Sequence, residues 1–370
     1  MRAPVARAGA LTCGPACAII AGVEPVRIGV IGAGGIMGRV HMPALRKIEG
    51  AEIVVVCNST SESAANFIRA NRLEADVAAS WEQVCQRPDL DIIWIAAPPG
   101  IHADAACAAL GTGKHAFCQA PLCLDAGETA GVAAAALGRP GLVSAVCPSI
   151  YGFRYSPFVL ELIRRETLGP LKQLAFQGTR NTGADPMAPP HWSQLIEMAG
   201  VNFLNVTLIA DTLLRWVGAP ARLRAQTHIF TDVRDERLID VPDYAVVFAE
   251  WPGGLRGHLS WSGMAHGPER NRFELHGEKA SLIYDFDNED IWLCQGPGGR
   301  FQRIEVPAEF TAEWRVEENF IRAVRGEAPR PRPDFLDGVR CLALAESIHD
   351  SAQTDDWAEV HLPDEELFIS

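Results

Sequence analysis

Val26-Arg27-Ile28-Gly29-Val30-Ile31 runs straight into Gly32-Ala33-Gly34-Gly35-Ile36-Met37-Gly38, and few folds accept an apolar strand that ends in such a loop. Gly32 permits a tight turn, and Gly34 lets the backbone approach a pyrophosphate. A helix starting near Gly35 would aim its first N–H groups at that anion, with Ile36 and Met37 in its opening turn. The third glycine of the G-x-G-x-x-G pattern falls on Met37, and Gly38 comes one residue late. The context supplies what the imperfect motif lacks. A β-rich run from Glu52 to Cys57 follows after one helix length, as a βαβ unit requires.

That second strand ends in Asn58-Ser59-Thr60-Ser61-Glu62. An acidic residue here would bind the adenosine ribose and favour NAD, whereas an arginine would welcome the NADP phosphate. Asn58 is neutral and can hydrogen-bond either ribose form; the hydroxyls at Ser59, Thr60 and Ser61 suit a phosphate, which Glu62 would repel. The cofactor is NAD or NADP, with both open at this point.

Alternation then continues: helix Ser80–Arg87, strand Leu90–Ala96, helix Ala103–Leu110, strand Lys114–Cys118 and helix Asp125–Leu137. Segments of these lengths predict a doubly wound parallel sheet. In the second half, Leu171–Gly178, Arg222–Phe230, Asp243–Trp251, Leu255–Ser262, Arg272–His276 and Lys279–Phe286 read as strands, with a turn at Trp251-Pro252-Gly253-Gly254. Leu255, Gly257, Leu259 and Trp261 alternate with Arg256, His258, Ser260 and Ser262, so that strand has one apolar and one polar face. Pro329–Pro333 reads as a linker and Phe335–Ser351 as a closing amphipathic helix.

Composition excludes other classes. The 370 residues carry 33 Lys plus Arg against 46 Asp plus Glu, a net charge of −13, which argues against a nucleic-acid footprint. No run approaches the roughly 18 apolar residues that a membrane span needs. Ten cysteines show no C-x-x-C and no zinc-like spacing with histidine, so no metal site is expected and the thiols read as reduced core residues of a cytoplasmic protein. Residues 1–24 read as an N-terminal extension: Gly14-Pro15 interrupts its weak resemblance to a secretory signal.

The order of motifs resembles the Gfo/Idh/MocA family of nicotinamide-dependent oxidoreductases. Gly32-Ala33-Gly34-Gly35-Ile36 with His41-Met42-Pro43-Ala44-Leu45, Ala97-Pro98-Pro99-Gly100-Ile101-His102 and Gly113-Lys114-His115 carry the likeness. Arg154-Tyr155-Ser156-Pro157, Trp192, Asp211 to Gly218 and Ser347 to Ser351 continue it. The resemblance implies a Rossmann domain over 25–147 and an α/β domain with a large, open, mainly antiparallel sheet over 148–370. It also implies a homo-oligomer, dimer or tetramer, formed through that sheet. The cofactor set it implies is Gly32, Gly34, Gly35, Ile36, Met37, Asn58, Ser59, Thr60, Ala97, Pro98, His102 and Gln119.

The family's chemistry is absent at its usual positions. Where the family has Glu-Lys-Pro, this chain has Gln119-Ala120-Pro121. Where the family's second-domain pattern carries an Asp and a His, it has Leu204 and Leu208. Positions 204, 208 and 211 are expected on one helical face, which then offers no proton acceptor; acid–base assistance is worth roughly 10²–10⁴-fold. Substitutes within reach are Gln119, Tyr151, His191 and Asn205, none of them an obvious base; Asn202 is a further polar position, and Thr207 could bond its own helix. The leading reading is an NAD(P)-dependent oxidoreductase moving hydride to or from a hydroxyl, carbonyl or imine carbon of a small substrate, sugar-like or more apolar, with a non-standard acid–base set. The alternatives are a non-catalytic NAD(P)- or ligand-sensing protein and a non-redox lyase or hydrolase that keeps the cofactor.

Overall fold

Apolar runs too short for helices and flanked by glycine form buried parallel strands. The computed structural model describes residues 24–363, so the expected extension lies outside the described residues except for Glu24. Its first sheet comprises β1 (Val26–Ile31), β2 (Ala51–Cys57), β3 (Asp76–Val77), β4 (Ile92–Ile95), β5 (His115–Cys118) and β6 (Ser144–Val146). All pair in parallel, in the order β3-β2-β1-β4-β5-β6. The connections are a π-helical turn (Met37–His41) leading into α1 (Met42–Leu45), then α2 (Ser61–Ala70), α3 (Trp81–Gln86), α4 (His102–Gly111) and α5 (Ala126–Leu137). Ser80 and Asp125 occupy the N-cap positions of α3 and α5, so the expected helices begin one residue later than their caps.

The second sheet has nine strands: β7 (Leu171–Thr179), β8 (Arg222–His228), β11 (Tyr244–Glu250), β12 (Arg256–Ser262), β13 (Arg270–Gly277), β14 (Ala280–Asp285), β15 (Asp290–Gln295), β16 (Gln302–Ile304) and β17 (Ala358–Glu359), with β9 (Val233–Arg234) and β10 (Arg237–Leu238) in a separate hairpin. Only β7 and β12 pair in parallel; the other neighbours are antiparallel. Gly257, Leu259 and Trp261 face the core while Arg256 and His258 are exposed, as the two-faced pattern requires. The helices α6 (Ser156–Arg164), α7 (Ile196–Ala199), α8 (Val206–Val217), α9 (Val316–Val324) and α10 (Phe335–Thr354) complete the second half.

The chain does not stay in its second half. Phe320, Ile321 and Ala323 of α9 share one core with β1, β2 and β4. In α10, Phe335, Leu336, Val339 and Leu342 pack with the first sheet, and Cys341, Leu344, Ala345 and Ile348 with the second. The long helix therefore ties both sheets together.

One expected helix face is corrected. Leu204 (φ 46°) and Asn205 (φ 63°) both adopt left-handed backbone, and α8 starts only at Val206. Leu204 thus precedes the helix rather than sharing a face with Leu208 and Asp211.

Candidate functional site

β1 and β4 are neighbours although two other strands intervene in sequence, which makes the gap beyond their C-terminal ends the switch point where open α/β sheets bind ligands. A cleft of about 880 Å³ opens there, lined by Ile31, Gly32 and Gly34 after β1, Cys57, Asn58 and Ser59 after β2, and Ala96, Ala97 and Pro98 after β4. Gly32 has φ +87°, and a Cβ on it would stand 2.3 Å from the Ala97 nitrogen. A Cβ on Gly34 would meet nothing within 4 Å, so its backbone borders open space. The Ala33 N–H donates to Asn58 Oδ1 at 3.3 Å, fixing the loop against β2. These features suit a dinucleotide: a bare glycine edge at the start of a helix, with the ribose end at Asn58 and Ser59. When bound, that group would supply the hydride donor or acceptor.

Residues that the sequence did not point to also line the cleft. Trp81 and Glu82 open α3, and Glu197 and Met198 reach in from the second half. The Ser80 hydroxyl and its own backbone N–H hold the Glu82 carboxyl below its usual pKa. The signal for this edge was Ser80, a helix cap directly after a strand end.

Several of the expected cofactor residues do not line the cleft. Met37 is fully buried, in one core with Ile28, Val30 and Val56. Thr60 caps α2 in a reciprocal box with Ser63, which commits its hydroxyl. Gly35 and Ile36 are exposed, Gly35 against the Arg39 guanidinium, and neither borders the cleft. His102 is also buried, with Nε2 2.7 Å from the Ala97 carbonyl and Nδ1 2.7 Å from the Pro121 carbonyl. Burial pushes its pKa down, against the pull of those two carbonyls. It braces the loop beside the cleft instead of lining it.

Gln119 turns away from the cleft as well. Its amide donates to His41 Nε2, while His41 Nδ1–H donates to Glu317 Oε1 at 2.6 Å. His41 is wholly buried, edge-on to Trp94 and Phe117, and Glu317 on α9 is 1% exposed. The sequence offered no route to this trio, since His41 and Glu317 are 276 residues apart. Beyond it, the Ala120–Pro121 peptide is cis, and Ala120, Pro121, Cys147, Ser149, Thr207 and Leu208 border one small cavity of about 20 Å³.

On the second sheet's side, Tyr151 and Asn205 meet: the Asn205 amide donates to the Tyr151 hydroxyl at 3.2 Å. Burial pushes Tyr151 up, while Arg180 and the Asn205 amide pull it down. His191 is exposed and caps its own turn through Ser193; burial and Arg180 both lower its pKa. Asn202 is spent as a brace, its Oδ1 accepting from the Thr207 N–H at 3.1 Å and the Thr207 hydroxyl at 2.7 Å. Thr207 therefore bonds Asn202, not its own helix.

Comparison with known proteins decides the family. A family model described as "Oxidoreductase family, NAD-binding Rossmann fold" matches residues 26–145, and one for the "GFO/IDH/MocA C-terminal domain" matches 158–283. The chain belongs to the Gfo/Idh/MocA oxidoreductases. It is similar to the dTDP-3,4-didehydro-2,6-dideoxy-alpha-D-glucose 3-reductase of Saccharopolyspora spinosa, 25% identical over 90% of this chain and 91% of that one. It is also similar to the levoglucosan dehydrogenase of Pseudarthrobacter phenanthrenivorans, 24% identical over 91% and 99%. A solved levoglucosan dehydrogenase in complex with NADH superposes with a TM-score of 0.81 at 21% identity, over 92% of this chain and all of that one. In this family member, then, an NAD-binding Rossmann domain stands beside a mixed, mostly antiparallel sheet. Among the described residues no helix is long and apolar enough to cross a membrane.

Proposed function

We propose that this oxidoreductase interconverts a secondary alcohol and a ketone on a sugar or cyclic polyol, using NAD in preference to NADP. The observation that carries the reading is the cleft at the β1/β4 switch point, whose glycine edge fits a dinucleotide. The substrate class comes from the relatives, which by name act on a deoxysugar and on levoglucosan. NAD is favoured because, among the described residues, no lysine or arginine lines the cleft, whereas the carboxylate of Glu82 does; a 2′-phosphate would meet a negative charge and no cation there.

The chain's own groups divide the work. Gly32, Gly34, Asn58, Ser59, Ala97 and Pro98 would hold the cofactor, and Glu197 and Met198 would close its far side. Gln119, fixed by His41 and Glu317, would hold the Ala120–Pro121 turn beside the reacting carbon without titrating there. The reading extends to a homo-oligomer through the outer face of the large sheet, where Phe248 is 58% exposed beside Tyr244. It also extends to the cytoplasm, where free thiols such as the eight among the described residues persist.

The test is calorimetric titration with NAD+ and NADP+, followed by absorbance of reduced nicotinamide over a panel of levoglucosan, inositols and keto sugars. NAD+ should bind at least about tenfold tighter than NADP+, a difference of roughly 1.4 kcal/mol, and at least one panel member should turn over. Tight NAD+ binding without any redox change would favour the sensing alternative.

A further inference from the structure

The helix face that lost its histidine is not empty. Side chains of a helix lean toward its N-terminus, so a histidine at position 208 would place its ring over the turn at 204–205. Tyr151 bonds both ends of the stretch from Asn205 to Thr212. Its carbonyl accepts from the Thr212 hydroxyl at 2.7 Å, which sets its main chain beside the middle of α8. Its N–H donates to Ser149 Oγ at 3.1 Å, and its hydroxyl reaches Asn205 at the helix start. From residue 212 to residue 206 is about 9 Å along the axis, and Tyr151 as a whole, from carbonyl to hydroxyl, lies along that stretch. The left-handed Asn205 turns its amide toward this ring instead of capping α8, for which it makes no side-chain hydrogen bond.

We infer that the Tyr151 hydroxyl takes over the role of the missing imidazole, exchanging the proton of the substrate's reacting oxygen. The inference rests on the dehydrogenase reading above. A hydroxyl has one donor and two acceptor positions. Asn205 fills an acceptor position, and among the described residues nothing accepts the phenolic proton. That proton is uncommitted. In the reducing direction, reduced nicotinamide, when bound, would supply hydride with its electron pair to the carbonyl carbon. The C=O π pair takes the Tyr151 proton, so the phenolic O–H breaks as the alcohol O–H forms. The phenolate regains a proton from solvent, and the cofactor leaves as NAD+. The charged groups that act on the phenol are Arg180 at the end of β7, its partner Glu269, and Asp287; Arg180 favours the phenolate, and the two carboxylates oppose it. Asn205 acts through Tyr151 as a positioning residue.

The deciting experiment labels the four tyrosines with ¹³C at Cζ, assigns Tyr151 from the Tyr151→Phe variant, and titrates pH with and without saturating NAD+. The Tyr151 resonance should move on NAD+ binding and titrate at lower pH, because the cationic nicotinamide stabilises the nearby phenolate. A resonance indifferent to NAD+ overturns the inference. Tyr151→Phe keeps the ring that packs 6.2 Å from Phe286, so it should fold and bind NAD+ normally. With the substrate that the panel returns, its kcat should fall roughly 10²–10⁴-fold, with KM changed by less than about threefold. Asn205→Ala should shift the alkaline limb of the pH profile upward, and Asn205→Gln should restore part of it. Wild-type kcat in Tyr151→Phe sinks the idea even where the dehydrogenase reading stands. If no panel member turns over, that reading fails and the resonance alone decides where the hydroxyl sits.

Discussion

Replacing Glu317 by alanine tests whether the buried trio beneath the cleft is held by its carboxylate. His41 is fully buried and Glu317 nearly so, and the 2.6 Å bond from Nδ1 to Oε1 joins them. In Glu317→Ala the imidazole keeps its N–H but loses the acceptor; breaking a buried pair from one side costs about 3–5 kcal/mol. The lower end applies here. Glu317 borders a solvent cleft of about 430 Å³, so water can enter the vacated space and offset part of the loss, and its Oε2 has no partner to forfeit. Glu317→Gln keeps an oxygen facing Nδ1 and exchanges a charge-assisted hydrogen bond for a neutral one, at a cost of about 1 kcal/mol. Urea denaturation followed by fluorescence and circular dichroism, with the two transitions checked for coincidence, measures both variants. About 3 kcal/mol for alanine and 1 for glutamine are expected. A double-mutant cycle with Gln119→Ala should show coupling of about 0.5–3 kcal/mol through His41. An alanine variant destabilised by less than about 1 kcal/mol, or a glutamine variant at least as damaged as the alanine one, would refute the reasoning.

Two glycines separate stability from cofactor affinity. Gly32→Ala puts a Cβ 2.3 Å from backbone at φ +87°, so left-handed strain of about 1–2 kcal/mol adds to a shift of the Ala97 loop; thermal stability and NAD+ affinity should both fall, and a normal calorimetric Kd would count against the site. Gly34→Ala meets nothing within 4 Å, so stability should stay within about 0.5 kcal/mol while NAD+ affinity drops. His102 sets a pH dependence. Its folded pKa lies below the unfolded value of about 6.5, so the unfolded chain binds the extra proton and stability falls as pH drops below roughly 6.5. Urea midpoints between pH 7.5 and 5.5 should show that slope, and His102→Asn should flatten it; an unchanged slope assigns it elsewhere.

Much of the first half was legible because most of its strands are largely buried and read as apolar runs. The second sheet was legible where alternation was strict, as in β12, and lost where strands were short or irregular, as in β15 to β17. The misread face at Leu204 shows the limit of periodicity: leucine and asparagine carry no mark of left-handed backbone, and tertiary contacts impose it there. Thr60 and Met37, expected at the cofactor, have side chains engaged elsewhere. Their residue types fit a cofactor loop, but a local cap in one case and core packing in the other had the stronger claim. The trio of His41, Gln119 and Glu317 lay beyond sequence reasoning, because only the fold brings its members together.

The return of α9 and α10 to the first sheet bears on how this chain is made. Phe320 and Phe335 complete cores that β1 to β5 begin, yet a ribosome adding about 5–20 residues per second needs roughly nine to thirty-five seconds to travel from residue 147 to residue 320. Throughout that interval the nucleotide-binding half exposes the apolar surface that these two helices later cover. It is the stage at which a nascent chain would most depend on a chaperone, and a fragment ending near residue 147 would remain in that condition permanently.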